Sequence, residues 1–371
     1  MTKYYLVAGE ASGDLHASSL VKEIKQLDKD AVFRGFGGDK MMHEGVDVVQ
    51  HFKDIAFMGF REVLLNLKTI KHAMSFCKND ITNYKPDILI LIDYPGFNKR
   101  IAKYAKKQGF KVIYYISPQF WAWKEKRVKS FIKYVDQIIV ILPFEKEFYA
   151  KHGIKVEFCG HPLPDVVDRF QKNPSLLSSL NIEGKDIIAV LPGSRKQEIE
   201  NLIPLIHQIA GEMPEYLFLI AASKHIDTNL YGEIDPASNI RLVHDQTYNI
   251  LSVAKAGIIK SGTSTLEAAL FRLPMVVCYK TTLLNYLISR NLIKVKFIAL
   301  VNLILNKEVV KELIQHDYNE VLLKKELLRL LEDKNYRENI LKEFALLREL
   351  LDGKDASHRA ANCILKKICV A

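Results

Sequence analysis

Short apolar runs recur along the chain, each followed by a stretch with helical spacing. In the first half the runs are YYLVAG (4–9), AVFRGFG (31–37), DILILID (87–93), KVIYYIS (111–117) and QIIVIL (137–142). Runs of this length predict strands. Between them, residues 15–27 place Ala17, Leu20, Val21, Ile24 and Leu27 on one helical face, and 61–84 and 98–108 follow the same pattern. Strands alternating with helices predict parallel βαβ units. CGHPLPDVV (159–167) interrupts the alternation with two prolines. A second series follows: DIIAVLPG (186–193), YLFLIAA (216–222), NIRLVH (239–244), AGIIKSG (256–262) and PMVVCYK (274–280). The pattern predicts an α/β chain of two doubly wound domains, with a hinge near 160–170. Ligands of such sheets bind at the carboxyl ends of the strands, in a cleft expected between the two halves. After about 315 the chain is strongly helical, and SHRAANCILKKICV predicts one last amphipathic helix.

Length agrees with two domains, since 371 residues exceed a single small core. The net charge of +10 suggests an anionic partner or serves solubility. Five scattered cysteines, none in CxxC spacing, suggest neither a zinc site nor a disulfide framework. Without a signal-like start or a long apolar run, the chain is expected to be soluble, or at most to lie on a membrane.

Candidate chemistry sits in the turns after strands. In AVLPGSRKQEIE (189–200), Pro192 and Gly193 make the turn, and Ser194, Arg195 and Lys196 occupy its mouth. Amides at a helix start beside a guanidinium suit a diphosphate. A capped helix with a solvated arginine is the plain alternative. In KSGTSTLEAALF (260–271), Ser261, Gly262, Thr263, Ser264 and Thr265 form a second anion-suited loop. Glu267 is placed to accept from ribose hydroxyls, or else closes a capping box behind Ser264. Two such loops in one half favour a nucleoside-diphosphate site there.

The first half carries a different loop, GEASGD (9–14), with Glu10, Ser12, Gly13 and Asp14. Its acidic character suits a hydroxyl-rich ligand such as a sugar. Asp93 ends a strand beside a Pro-Gly turn, where a general base would sit, although an Asx turn or helix cap would explain it too. The lone Asp-x-Asp, at 28–30, reads as a solvated loop, so no metal is expected, and GFGGDK (35–40) is not a GxGxxG turn after the first strand, so no dinucleotide cofactor is expected either. SPQFWAWKEKRVKSFIKY (117–134) joins Phe120, Trp121 and Trp123 to several basic residues, and IAFMGFREVLLNLKTI (55–70) is apolar around Met58. These read as a lipid-facing surface rather than one for nucleic acid, or as core beside a basic helix face.

Several of these segments are long and specific. VAGEASGD, MGFREVL, IDYPGFN, SPQFWAWKEKRV, LPFEKEFY, GHPLPD, LPGSRKQEI, SGTSTLEAAL and PMVVCYK span most of the chain. With them it closely resembles the lipid-A-disaccharide synthases, inverting glycosyltransferases of bacterial outer-membrane biogenesis. The resemblance implies a GT-B fold: an acceptor-binding domain at 1–165, a UDP-sugar-binding domain at 166–354, and a last helix (355–371) packed back on the first. It implies UDP-2,3-diacylglucosamine as donor, 2,3-diacylglucosamine 1-phosphate as acceptor, and a β-1,6 disaccharide 1-phosphate plus UDP as products. Asp93 matches an aspartate needed for activity, and Arg195 matches the arginine of the Pro-Gly-Ser-Arg loop; both are catalytic candidates. Asn302, in LVNLIL (300–305), matches an asparagine beside the nucleotide, although Val301 replaces a proline there. Gly96 stands where some members carry a second aspartate. Glu10, Ser12, Gly13, Asp14, Met58, Phe120 and Trp121 become candidates for the acceptor. The enzyme is expected at the cytoplasmic face of the inner membrane, with a second copy of the chain as a candidate partner. A UDP-N-acetylglucosamine 2-epimerase-like isomerase is the alternative that shares the architecture.

Overall fold

The computed structural model describes residues 1–55, 66–123, 125, 128–180, 184–224, 226–235, 237–282, 286 and 295–369. The chain divides into two compact units, Met1–Asp165 with Leu351–Ala371, and Val166–Leu350.

The first unit is built on seven parallel strands: β1 (Lys3–Ala8), β2 (Val32–Gly37), β3 (Asp47–His51), β4 (Ile88–Ile92), β5 (Lys111–Tyr115), β6 (Gln137–Val140) and β7 (Glu157–Phe158). Their order is β3-β2-β1-β4-β5-β6-β7. Strand β4, ILILI, is buried at all five positions. A central parallel strand is covered on both faces, which is why it reads as an unbroken apolar run. Tyr5, Val7, Leu89, Leu91, Val112 and Tyr114 pack with Ile101, Ala102 and Ala105 of the helix Pro95–Lys107. Chain order reverses between β1 and β4, so the loops after these two strands flank a switch point.

The chain returns to this unit through the helix Ala356–Cys369. Asp165 caps it, accepting from the amides of Asp355 (3.1 Å) and Ala356 (3.0 Å). His358 Nδ1 lies 3.1 Å from Glu23 Oε2 on the helix Ala11–Leu27. Gly160 has φ +80°, and a Cβ there would sit 1.9 Å from the carbonyl of Asp352. The segment read as a hinge, GHPLPD, is thus also the socket for the returning chain.

The second unit has six parallel strands: β8 (Asp186–Leu191), β9 (Tyr216–Ala222), β10 (Ile240–His244), β11 (Ala256–Lys260), β12 (Met275–Tyr279) and β13 (Glu312–Ile314). The order β10-β9-β8-β11-β12-β13 puts the switch between β8 and β11. The sequence pattern did not show β3, β7 and β13. They lie toward or at the outer ends of their sheets, and β7 and β13 span only Glu157–Phe158 and Glu312–Ile314. Among the described residues no helix is long and apolar enough to cross a membrane.

Candidate active site

At the first switch point, the turn after β4 runs through Asp93 (φ 45°) and Tyr94 (φ 47°), two successive non-glycine residues in the left-handed region. Each such residue costs about 1–3 kcal/mol. Asn98, fully buried, holds the turn by donating to the carbonyls of Val7 (3.2 Å), Ile92 (3.2 Å) and Asp93 (2.9 Å). The Tyr114 hydroxyl also donates to the Asp93 carbonyl. The Tyr94 ring lies over Gly9, where a Cβ would come within 2.2 Å of it, and its hydroxyl donates to Ile55 O. The glycine that ends β1 therefore admits a ring.

Burial pushes the Asp93 carboxyl up from 3.8 to about 7, reinforced first by the charge of Glu10 and then by that of Glu145. Its backbone bond to Tyr94 opposes the rise. A carboxyl poised near 7 can take and return a proton at neutral pH. Tyr94, not Asp93, is the N-cap of the following helix.

Glu145, which the sequence reading did not single out, is 2% exposed. Its carboxylate accepts from Ser117 Oγ (2.7 Å), Trp121 Nε1 (3.3 Å) and the amides of Ile141 (3.3 Å) and Leu142 (3.0 Å). Burial raises its pKa, and these bonds pull the other way. Trp121 is half-buried, with its indole held by Glu145 and its ring edge-to-face with Phe144 at 4.9 Å.

Two of the other expected acceptor residues, Asp14 and Phe120, serve the fold. Ser12, Gly13 and Asp14 lie in the first turn of the helix Ala11–Leu27, for which Glu10 is the N-cap. Asp14 is buried and accepts from the amides of Gly38 (2.8 Å), Lys40 (3.1 Å) and Met41 (3.1 Å). Its carboxylate anchors the turn after β2 instead of a sugar. Gly13 is buried against Ala8 and Ile92. Phe120 is a core residue, packed edge-on to Phe131 at 5.2 Å, because the apolar side chain belongs to the cluster under the sheet. Met58 lies outside the described residues.

At the second switch point, Gly193 has φ +102°, and a Cβ there would lie 2.2 Å from Glu198 Oε2. Arg195 is the N-cap of the helix Lys196–Glu212, and its Nη1 donates to Glu198 Oε1 (3.2 Å). Ser194 is exposed beside it. Lys260, the last residue of β11, reaches the same Glu198 oxygen at 2.6 Å. In the next loop, Gly262 is open, with nothing within 4 Å of an added Cβ, and Thr263 and Ser264 are half-buried. Glu267 accepts from the Tyr248 hydroxyl at 2.9 Å. The helix Ser264–Leu270 has Thr263 as its N-cap with no side-chain cap, so Ser264 lies inside the helix and no capping box forms behind it.

Three expected nucleotide residues are turned inward. Ser261 donates to Ile298 O (3.0 Å), and Thr265 is fully buried and donates to Gly262 O (2.8 Å). Asn302 is also fully buried. Its amide nitrogen donates to Val310 O (2.8 Å) and Glu312 Oε1 (2.9 Å), and its oxygen accepts from the amides of Val309 (2.8 Å) and Val310 (3.0 Å). Glu312 in turn accepts from the amides of Ile298 and Ala299. Asn302 thus holds, through Glu312 and Ile298, the segment to which Ser261 is tied. Among the described residues no group of three or more His, Cys, Asp or Glu side chains is placed to hold a metal ion.

Comparison with known proteins agrees with the fold and identifies the family. A curated lipid-A-disaccharide synthase of Geobacter sulfurreducens is 37% identical over 370 residues, covering 98% of this chain and 96% of that protein. Two solved structures share the fold at low identity. An S. aureus MnaA–UDP co-structure has a TM-score of 0.72 at 13% identity, covering 100% of this chain and 98% of that one. The glycosyltransferase of kitacinnamycin has a TM-score of 0.66 at 12% identity, covering 99% of each. Both support two Rossmann-like units of the GT-B class. The family described as lipid-A-disaccharide synthetase matches residues 4–368. On that match and that identity, the chain belongs to the lipid-A-disaccharide synthetase family.

Proposed function

We propose that this chain joins UDP-2,3-diacylglucosamine to 2,3-diacylglucosamine 1-phosphate, giving the β-1,6 disaccharide 1-phosphate and UDP with inversion. The observation that carries the reading is the Asp93 carboxyl, poised near neutrality on a strained turn at the β1/β4 switch. Asp93 takes the proton from the acceptor's 6-hydroxyl as that oxygen bonds to the donor's anomeric carbon. The bond from that carbon to the diphosphate breaks, and its electron pair leaves with UDP.

The second unit is the donor side of this scheme. Ser194, Arg195 and the open loop Gly262–Ser264 suit the diphosphate, and Glu267, oriented by Tyr248, suits the ribose. The first unit is the acceptor side, with Glu10 beside Asp93 and Trp121 braced by Glu145. Asn302, Ser261 and Thr265 shape the donor loops from behind.

Both substrates of this reading carry acyl chains. A chain of net charge +10 then gains from an anionic lipid surface, at about 1 kcal/mol per basic residue near it. We place it at the cytoplasmic face of the inner membrane, and flotation with anionic vesicles at low and high salt tests this.

The deciding assay follows UDP release from the diacylated donor with and without the acylated sugar phosphate. Release that requires the acceptor supports the scheme. Turnover of the donor alone, with the sugar epimerised, supports the isomerase instead.

A further inference from the structure

Lys260 and Arg195 stand at the two anion-suited segments that the sequence presents, Lys260 as the last residue of β11 and Arg195 in the turn after β8. Strands β8 and β11 are parallel neighbours, with Leu191 paired to Ile259, so their carboxyl ends lie side by side. One carboxylate oxygen, Glu198 Oε1, receives Lys260 Nζ at 2.6 Å and Arg195 Nη1 at 3.2 Å. The carboxylate is the most buried of the three side chains, at 13% exposed, against 21% for Lys260 and 45% for Arg195. The turn at Gly193 leaves room for that carboxylate and for nothing larger than hydrogen on its own Cα. Two cations on one carboxylate leave a net positive point. Glu198 and Lys260 also line one recess with Pro192, Asn201 and Tyr279.

We propose that Lys260 is a second diphosphate-binding cation, and that Glu198 gathers Lys260 and Arg195 and yields them to the phosphates. The ligand class is a nucleoside diphosphate, so this inference rests on the donor reading of the second unit. A diphosphate carries more charge than one guanidinium neutralises. Lys260 directly precedes Ser261 and the open Gly262, and its ammonium shares Glu198 Oε1 with Arg195. A lysine contributes there as a point charge, complementing the forked donor of Arg195.

Calorimetric titration of UDP into wild type, Lys260→Met, Lys260→Arg and Glu198→Gln tests this, with melting curves as the folding control. Lys260→Met should weaken UDP binding about tenfold, the loss of one charge-assisted contact, and should flatten its salt dependence. Lys260→Arg should recover most of the affinity. Glu198→Gln should bind UDP at least as tightly as wild type, because the glutamine oxygen still accepts from both cations while the competing charge is gone. Lys260→Met binding UDP as tightly as wild type overturns the inference. So does an equal loss in Glu198→Gln and Lys260→Met, which would make Lys260 a brace for Glu198 alone. A wild-type chain that binds no UDP overturns the donor reading instead.

Discussion

Glu10→Gln removes a charge beside Asp93 while keeping the side chain's shape. In the wild type the Asp93 carboxyl titrates at about 7, with burial the largest cause and Glu10 the next. A base with that value is about half ionised at pH 7 and about one part in a hundred ionised at pH 5. Because the ionised form is the active one, kcat/KM should rise about tenfold per pH unit below 7 and level off above it. Glutamine at position 10 leaves the burial and removes the larger of the two charge repulsions. One such charge, in surroundings between water and dry protein, is worth about one pH unit, or ~1.4 kcal/mol. The acidic limb should therefore move about one pH unit lower. Near pH 6 the variant should then work at about half of its own plateau, where the wild type works at about a tenth. UDP release measured from about pH 5 to 9 with both substrates gives the profile. The plateau height is free to fall, since Glu10 borders the proposed acceptor site, and only the position of the limb is diagnostic. A limb that stays in place or moves to higher pH would refute the coupling of Glu10 to the base.

Asp93→Asn should lower turnover roughly 10²–10⁴-fold. It should also melt higher than wild type at about pH 8 and equally at about pH 3. The folded state holds a proton on Asp93 between 3.8 and about 7 that the unfolded chain has lost, so wild-type stability declines as pH rises through that window. Asn302→Ala strands the amides of Val309 and Val310 and one Glu312 oxygen partner; urea titration should show a loss of about 2–4 kcal/mol, with weaker UDP binding. Asp14→Ala leaves the amides of Gly38, Lys40 and Met41 without their acceptor and should cost about 2–3 kcal/mol, while UDP affinity, which the proposed scheme assigns to the other unit, should stay unchanged.

The central strands were legible because burial on both faces leaves them uniformly apolar, as in β4 and in AVL at the end of β8. Strand β3 was not, since it lies at an edge and four of its five residues are half-buried and the fifth exposed, so it shows no period. The same physics limits what the loops disclose. Glycine, serine, threonine and aspartate make up both an anion loop and the first turn of a helix. Ser12–Asp14 and Ser264–Thr265 therefore read as loop although they are helical. A turn at the carboxyl end of a strand has unpaired backbone amides and carbonyls of its own, and these must find partners once covered. Part of the polar side chains in such a turn is consequently committed to the fold. Asp14 meets amides 24 to 27 residues away, and Asn302 meets the turn at Val309–Val310. Glu198 meets a lysine from the neighbouring strand. The place of each site follows from the carboxyl ends of the central strands, which the apolar runs mark. The division of labour between ligand and fold depends on contacts distant in the chain, and the pattern holds no record of them. That division explains why Asp93 stands out. Its main chain is held by Asn98 and Tyr114, which leaves its carboxyl group available for chemistry at a raised pKa.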